Sequence, residues 1–357
     1  MSTVALQNIS KRFKMVTALR DVSFDIQDGE FFVLLGPTGA GKTTTLRVIA
    51  GLEQQTGGQV LFDGQQVDAL PPPDRDVAFV FQQYSLYPTM SVFDNLAFPL
   101  RSPMRRISEV EIRRQVQHAA EILRITHLLE RKTAKLSGGE MQRVSIGRAI
   151  VRRPRLFLMD EPLSNLDAKL RESLRVELKH IQKTQGITTL FVTHDQVEAL
   201  TMAERIAVLD KGRIVQIGNP TDIYDRPASI FVAQMVGVPR INLFDARRED
   251  GVFTIAGSPM RLPVPGAADV PATFRLGVRP EHVQPDSQGE FAGQLALIEP
   301  LGVESILHIR VGEQSLVATV PGITHYKLND EVRFNLVRER LHYFRSDGMR
   351  VPLDPPC

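Results

Sequence analysis

Residues Gly36-Pro37-Thr38-Gly39-Ala40-Gly41-Lys42-Thr43-Thr44 narrow the possible folds of this chain more than any other stretch. They fit G-x-x-x-x-G-K-[ST], a loop whose backbone wraps nucleotide phosphates. The flanks agree. Phe31 to Leu35 is an apolar run of buried-strand composition, and Lys42 to Gly51 reads as a helix. Glycines let the chain turn its N–H groups inward, and a helix N-terminus adds partial positive charge where phosphate would sit. Lys42 is expected to reach the β- and γ-phosphates, and the Thr43 hydroxyl to ligate Mg²⁺. The stretch implies binding of a nucleoside triphosphate.

A length of 357 residues suggests about two domains. The formal net charge of +2 implies no global polyanion partner. Charge is uneven, with 14 Lys or Arg against 5 Asp or Glu between Arg101 and Arg155. That excess reads as a solvated helical face, with an anionic lipid surface or an acidic partner as the alternative. The single cysteine, Cys357, permits no intramolecular disulfide, which fits a reducing compartment. The N-terminus lacks a signal-peptide core. No apolar run approaches the ~20 residues that cross a bilayer, so a membrane role requires a span borrowed from a partner.

Val4 to Ile26 reads as two strands around a turn, and Val60-Leu61-Phe62 before Asp63-Gly64 as a hairpin. Together they predict an antiparallel β-layer beside the loop-bearing strand. Pro71-Pro72-Pro73 predicts a stiff, extended spacer, and Val77 to Phe81 a buried strand ending at Gln82. From about Tyr84 to Arg153 the spacing turns helical, over Val92 to Leu100, Glu109 to Leu123 and Gln142 to Arg152. In the middle helix Val110, Val116, Ala119, Ala120 and Leu123 predict one buried stripe. Leu156 to Asp160 returns to strand composition. Ala168 to Gln185 is helical, Gly186 closes it, and Thr188 to Thr193 is a β-branched strand. Asp195 is placed to cap a helix reaching Met202, and a hairpin turns over Lys211-Gly212. This alternation predicts a largely parallel sheet. Beyond Met235 to Arg240 helical periodicity vanishes, and 12 of the 23 prolines lie in the last 119 residues. Ser305 to Val311, Ser315 to Val320 and Glu331 to Val337 read as strands of a small barrel-like β-domain.

Chemistry-bearing residues recur along this frame. A Mg²⁺·ATP site needs a carboxylate for the metal shell, which Asp160 supplies at a strand end. Hydrolysis needs a group that orients and deprotonates water, and Glu161 is one residue on. Ser137-Gly138-Gly139 offers a hydroxyl and free N–H groups at a helix start, a second small anion site. His194 ends the strand after Asp160-Glu161, where a lone histidine reads as either structural or catalytic.

This set, with Gln82, Leu136-Ser-Gly-Gly-Glu-Met-Gln142 and Ser164-Asn-Leu-Asp167 in order, resembles the ATPase subunits of ABC transporters from about Val4 to Val236. The resemblance implies an α/β P-loop NTPase domain over residues 1–236, with an antiparallel β-layer and a helical subdomain at about 84–153. It assigns Asp160 to the metal and Glu161 to the water, as the residues themselves suggest. It makes Ser137, Gly138 and Gly139 the signature motif, with Glu140 where the family has Gln. In the family two subunits pack head to tail, and each ATP lies between one phosphate loop and the partner's signature. Asp167 then belongs to the D-loop crossing that interface, and His194 becomes the switch histidine on the γ-phosphate. Gln82 becomes the glutamine that touches Mg²⁺ or the water and senses the transmembrane partner. Phe13, otherwise a plain core residue, aligns with the aromatic that stacks on adenine.

Tyr84 to Leu96 looks like the groove that receives a permease's coupling helix. Leu276-Gly-Val-Arg-Pro-Glu-His282 and Leu301 to Glu304 resemble the regulatory all-β, OB-like domain of carbohydrate-importer ATPases, expected over residues 237–357. Polyamine and ferric-iron importers carry related tails. The resemblance thus implies a homodimer with ATP and Mg²⁺, two transmembrane permease subunits and, indirectly, a solute-binding protein. It implies a peripheral position at the cytoplasmic face of the inner membrane. The rival, a soluble ABC-type ATPase for DNA maintenance or translation, lacks support. No sustained heptads separate Lys42 from Ser137, and the chain holds one ATPase domain. The tail lacks the basic, aromatic-interleaved strands of a nucleic-acid module, so no nucleic-acid partner is expected.

Overall fold

The computed structural model describes residues 2–102, 106–152, 154–264 and 270–352, so Cys357 lies outside the described residues. The chain forms two compact units, Met1–Pro220 and Thr221–Cys357. Residues 221–236, which the sequence groups with the nucleotide-binding section, fall in the second unit.

In the first unit, β1 (Val4–Phe13), β2 (Val16–Ile26), β4 (Gly57–Phe62) and β5 (Gln65–Gln66) make a four-stranded antiparallel sheet in the order β2-β1-β4-β5. The turn into β5 places Asp63 and Gly64 at φ +50 and +75, the paired left-handed conformations of a tight hairpin. A six-stranded sheet holds β3 (Phe31–Leu35), β6 (Val77–Val80), β7 (Leu156–Asp160), β8 (Thr188–Thr193), β9 (Arg205–Asp210) and β10 (Arg213–Gly218). Its order is β10-β9-β3-β8-β7-β6, parallel except for the β9–β10 hairpin. Every residue of β3, β7 and β8 is buried, as expected of parallel strands covered on both faces.

Helix α1 (Lys42–Ile49) and the antiparallel layer share one core with the parallel sheet, in which Phe24 stacks on Phe32 at 5.1 Å. The helical section comprises α2 (Val92–Ala97), α3 (Glu109–Ile122) and α4 (Gly138–Ile150). It is followed by α5 (Ala168–Gln185) and α6 (Gln196–Met202), the latter capped by Asp195 as its position implies.

Two expectations fail for identifiable reasons. Pro71 alone is extended, while Pro72–Arg75 form a 3₁₀ turn in which the Asp74 N–H donates to Pro71 O at 3.0 Å. Proline costs nothing at the first helical positions, where its missing N–H has no partner to lose. Val110 is 81% exposed, and Ile112 joins Val116, Ala119, Ala120 and Leu123 in the buried stripe instead. At 100° per residue, Val110 points about 120° away from Val116.

The short helix α7 (Pro220–Asp225) starts at the boundary residue, and α8 (Ile230–Met235) follows it in the second unit. Its first strands are β11 (Asn242–Glu249), β12 (Val252–Ile255), β13 (Arg261–Pro263), β14 (Thr273–Val278) and β15 (Val283–Pro285). The remainder are β16 (Phe291–Pro300), β17 (Glu304–Val311), β18 (Gln314–Pro321), β19 (Glu331–Leu336) and β20 (His342–Phe344). Two antiparallel sheets, β13-β12-β11-β14-β20 and β15-β19-β16-β17-β18, enclose a single core, giving the barrel-like, OB-like form. The Asn242 amide joins them. Its Nδ2 donates to Val317 O at 2.8 Å, and its Oδ1 accepts from the Val317 N–H at 2.7 Å.

Arg75 secures the end of α1. Buried beside Gly51, its Nη1 donates to the Val48 and Ile49 carbonyls at 2.9 Å each, satisfying acceptors a helix end leaves open. Arg75→Met is expected to lower unfolding free energy by about 2–4 kcal/mol, because buried carbonyls lose their donors. The check is a reduced urea midpoint at unchanged slope.

Candidate functional site

The loop between β3 and α1 is held by its glycines. Gly41 has φ +110, and a Cβ there would lie 2.7 Å from Ala18 O and 2.8 Å from Leu19 Cδ2. Gly39 has φ +80 with open space around it, so Thr38 and Gly39 form the exposed lip while Gly36 and Ala40 are buried beneath. Helix α1 has no side-chain cap and no acidic residue in its first turn. Its leading N–H groups therefore keep their positive end for an external anion.

Lys42 is 5% exposed. Its Nζ donates to Pro37 O at 3.1 Å and pairs with Glu161 Oε1 at 3.1 Å. Beside it the Thr43 hydroxyl donates to Asp160 Oδ1 at 2.9 Å. Burial, opposed by the Thr43 hydrogen bond, pushes the Asp160 carboxyl above the usual aspartate range. A bound cation would reverse that by favouring the charged form. Among the described residues no group of three or more His, Cys, Asp and Glu side chains could hold a metal alone. The hard oxygens of Thr43 and Asp160 suit Mg²⁺ completed by phosphate oxygens.

Glu161 adopts φ +44, its N–H donating to Val192 O at 3.0 Å. The bend brings Glu161 Oε2 within 2.9 Å of His194 Nδ1, so one carboxylate faces Lys42 and His194 together. His194 is 52% exposed. Gln82 is exposed too. Its Nε2 lies 3.5 Å from Ser164 Oγ, and its carbonyl accepts from Asn165 Nδ2 at 3.0 Å. Ser164 Oγ donates in turn to the Glu161 carbonyl at 2.9 Å, so Gln82 reaches the cluster through the 164–167 loop.

Asp167 caps α5 through the Leu170 N–H at 2.9 Å. Phe13, 41% exposed, carries Lys11 Nζ 4.6 Å above its ring centroid. Ser137 caps α4 and bonds Glu140. Among the described residues it makes no hydrogen bond to the phosphate loop. Gly138 and Gly139 pack beside Tyr84 and Leu170.

Two supporting residues escaped the sequence reading. The Thr193 hydroxyl donates to the buried Glu198 carboxylate at 2.5 Å and accepts from the Asp195 N–H at 2.9 Å, which fixes the turn bearing His194. Arg171 joins that turn to the 164–167 loop, with Nη2 donating to Leu166 O at 3.1 Å and Nη1 3.5 Å from Asp195 Oδ2. Asp195-x-x-Glu198 carried a capping pattern that pointed to the first. Nothing local signals the second. A concavity of about 1290 Å³ between α3 and α5 is lined by none of these chemical groups.

The ABC transporter family matches residues 19–164 and the TOBE domain residues 276–344. The chain is 43% identical to the sn-glycerol-3-phosphate import ATP-binding protein UgpC of Ruegeria pomeroyi, across 98% of this chain and 99% of that one. It is 44% identical to the trehalose/maltose import ATP-binding protein MalK of Thermococcus litoralis, across 96% and 98% respectively. Among solved structures, the dimeric post-hydrolysis state of the ATP-binding cassette MJ0796 bound to ADP and Pi aligns at TM-score 0.56 and 32% identity. It covers 61% of this chain and 98% of that one.

Because an ionised, buried Asp160 costs folding energy, Asp160→Asn is expected to raise the nucleotide-free melting temperature by a few degrees. Hydrolysis should be lost at the same time. The sign follows from the raised pKa: the cost is present above that pKa and vanishes as acid protonates the group. The stability gain should therefore shrink as pH falls, measured by thermal melts across a pH series.

Proposed function

Because the chain belongs to the ATP-binding subunits of ABC transporters, we propose that it hydrolyses ATP to power an importer of a sugar, polyol or glycerol-3-phosphate-like solute. The observation that carries this is the meeting of Lys42, Thr43, Asp160, Glu161 and His194 at one sheet edge. Near-full-length similarity to import ATP-binding proteins supports the solute class. The ATPase role is assigned to residues 1–236 and a regulatory role to residues 237–357, which include the TOBE match.

ATP is the substrate. Gly36 to Gly41 and the α1 N-terminus would hold its phosphates, with Lys42 on the β- and γ-groups and Phe13 beneath the adenine. Thr43, Asp160 and Gln82 would hold Mg²⁺, which when bound neutralises charge developing on the phosphate oxygens. As Lys42 turns to the phosphates, Glu161 loses its cation and becomes free to act as a base. Glu161 then takes a proton from water as the water oxygen bonds the γ-phosphorus and the bond to ADP breaks. His194, on the other carboxylate oxygen, orients Glu161 and reads the γ-phosphate.

Ser137 bonds within its own helix, and this supports a shared site completed by a second copy of the chain, head to tail. MJ0796 is described as a dimer. Between the two copies ATP favours closure and hydrolysis reopens it. Among the described residues no helix is long and apolar enough to cross a membrane. The span is therefore assigned to two permease subunits, with a solute-binding protein acting through them. A groove of about 310 Å³ lined by Phe79, Phe81, Tyr87, Phe98 and Arg148 suits a partner helix at the cytoplasmic membrane face. A polyamine or ferric-iron importer is the second reading, since such tails occur there.

Lys42→Ala is expected to abolish tight ATP binding in an equilibrium titration, and unchanged affinity would remove the loop from the site. Glu161→Gln should keep ATP binding and cut turnover at least ~100-fold, with ATP-bound dimer accumulating. Affinity purification from solubilised membranes should recover two polytopic partners. Recovery from the soluble fraction alone would overturn the transporter reading.

A further inference from the structure

At the start of α4 a carboxylate already holds the donors a phosphate would need. The Ser137 N–H donates to Glu140 Oε2 at 2.7 Å, and the Ser137 hydroxyl donates to the same oxygen at 2.9 Å. The Glu140 N–H returns to Ser137 Oγ at 3.4 Å, completing a capping box. The charge sits at the positive end of α4, with Arg131 3.9 Å from its other oxygen. These contacts, the Ser137 N–H first, hold the carboxyl below the usual glutamate range, so it is ionised at neutral pH.

We propose that Glu140 is an internal competitor of the γ-phosphate. It must leave Ser137 before ATP held by a second copy docks there, and so it sets how much ATP the pair needs to close. The inference rests on the shared-site reading above and deepens it. Two anions cannot share one hydroxyl and one N–H without repulsion. Like charges about 4 Å apart change an equilibrium by about fivefold under bulk-water screening and by more where protein lowers that screening, so about tenfold is the effect expected at this partly exposed site. Glutamine separates charge from cap. Its amide oxygen still accepts from the Ser137 N–H, as capping boxes allow, but it carries no charge to oppose the phosphate.

The test uses the full-length chain with Glu161→Gln, so that ATP-bound dimer accumulates. Dimer is followed by light scattering across an ATP titration, with and without Glu140→Gln or Glu140→Ala. Glu140→Gln is expected to keep the cap and lower the melting temperature only slightly, through loss of the charge at the helix end, and to lower the ATP midpoint about tenfold. Glu140→Ala should lower the melting temperature through loss of the cap, yet lower the ATP midpoint as well. In the otherwise unsubstituted enzyme KM should fall more than kcat. A purely structural cap gives the opposite pattern: Glu140→Gln leaves the midpoint in place, Glu140→Ala raises it, and the competitor role is overturned while the shared site stands. If Glu161→Gln alone forms no dimer at any ATP concentration, the shared site fails and the competitor role fails with it.

Discussion

Parallel pairing at the sheet centre is the constraint on which the site depends. Leu35 of β3 lies opposite Thr193 of β8, and Val192 of β8 lies opposite Asp160 of β7. Parallel strands end on the same edge, so this register delivers the phosphate loop, the Asp160-Glu161 pair and His194 to one line. Backbone bonds tighten it, from the Gly36 N–H to Thr193 O and from the Glu161 N–H to Val192 O. A one-residue slip in β7 or β8 would turn its chemical groups to the other face, and full burial of these strands opposes such a slip.

Electrostatics then couples the phosphate loop to the end of β7. Lys42 and Glu161 are both largely buried, and each offsets the other's desolvation at 3.1 Å. In the proposed mechanism, phosphate would offer Lys42 more negative charge than one carboxylate does, which would break the pair and leave Glu161 to His194 and water. The left-handed backbone at Glu161, unusual for a non-glycine residue, aims its carboxylate at both Lys42 and His194. Arg171 ties the loop expected to cross a subunit interface to the turn that carries His194. In the proposed shared site this would give a short mechanical route from partner arrival to His194.

Most of the fold was legible because its signals are local. The apolar runs of β3, β7 and β8, the glycines at turns and the capping residue Asp195 each act within a few positions. Where reading failed, a competing local rule or a distant partner decided. Pro72 and Pro73 were tolerated at a 3₁₀ start, and Val110 lay off the stripe by simple helical angle. The basic stretch read mainly as a solvated face, and the structure pairs many of its charges: Arg101 with Asp94 and Glu109, Arg114 with Glu111, Arg143 with Glu177, and Arg155 with Asp63. Asp94, Glu177 and Asp63 lie outside that stretch, so its local charge count overstated the free cation.

By itself the sequence determined that a phosphate-binding loop joins a buried strand to a helix, and that carboxylates and a histidine end other such strands. Backbone conformation and strand burial are short-range properties, so Gly41, Lys42, Asp160 and His194 announce themselves in place. Only the tertiary structure decided who touches whom. Lys42 holds Glu161 rather than standing free, Gln82 reaches the cluster through Ser164, Glu198 anchors Thr193, and Glu140 occupies the donors of Ser137. Apart from the capping box and the Thr193–Glu198 bond, whose partners lie five positions apart, these contacts join residues that sheet register and helix packing bring together across long stretches of chain, and no local pattern encodes a distance.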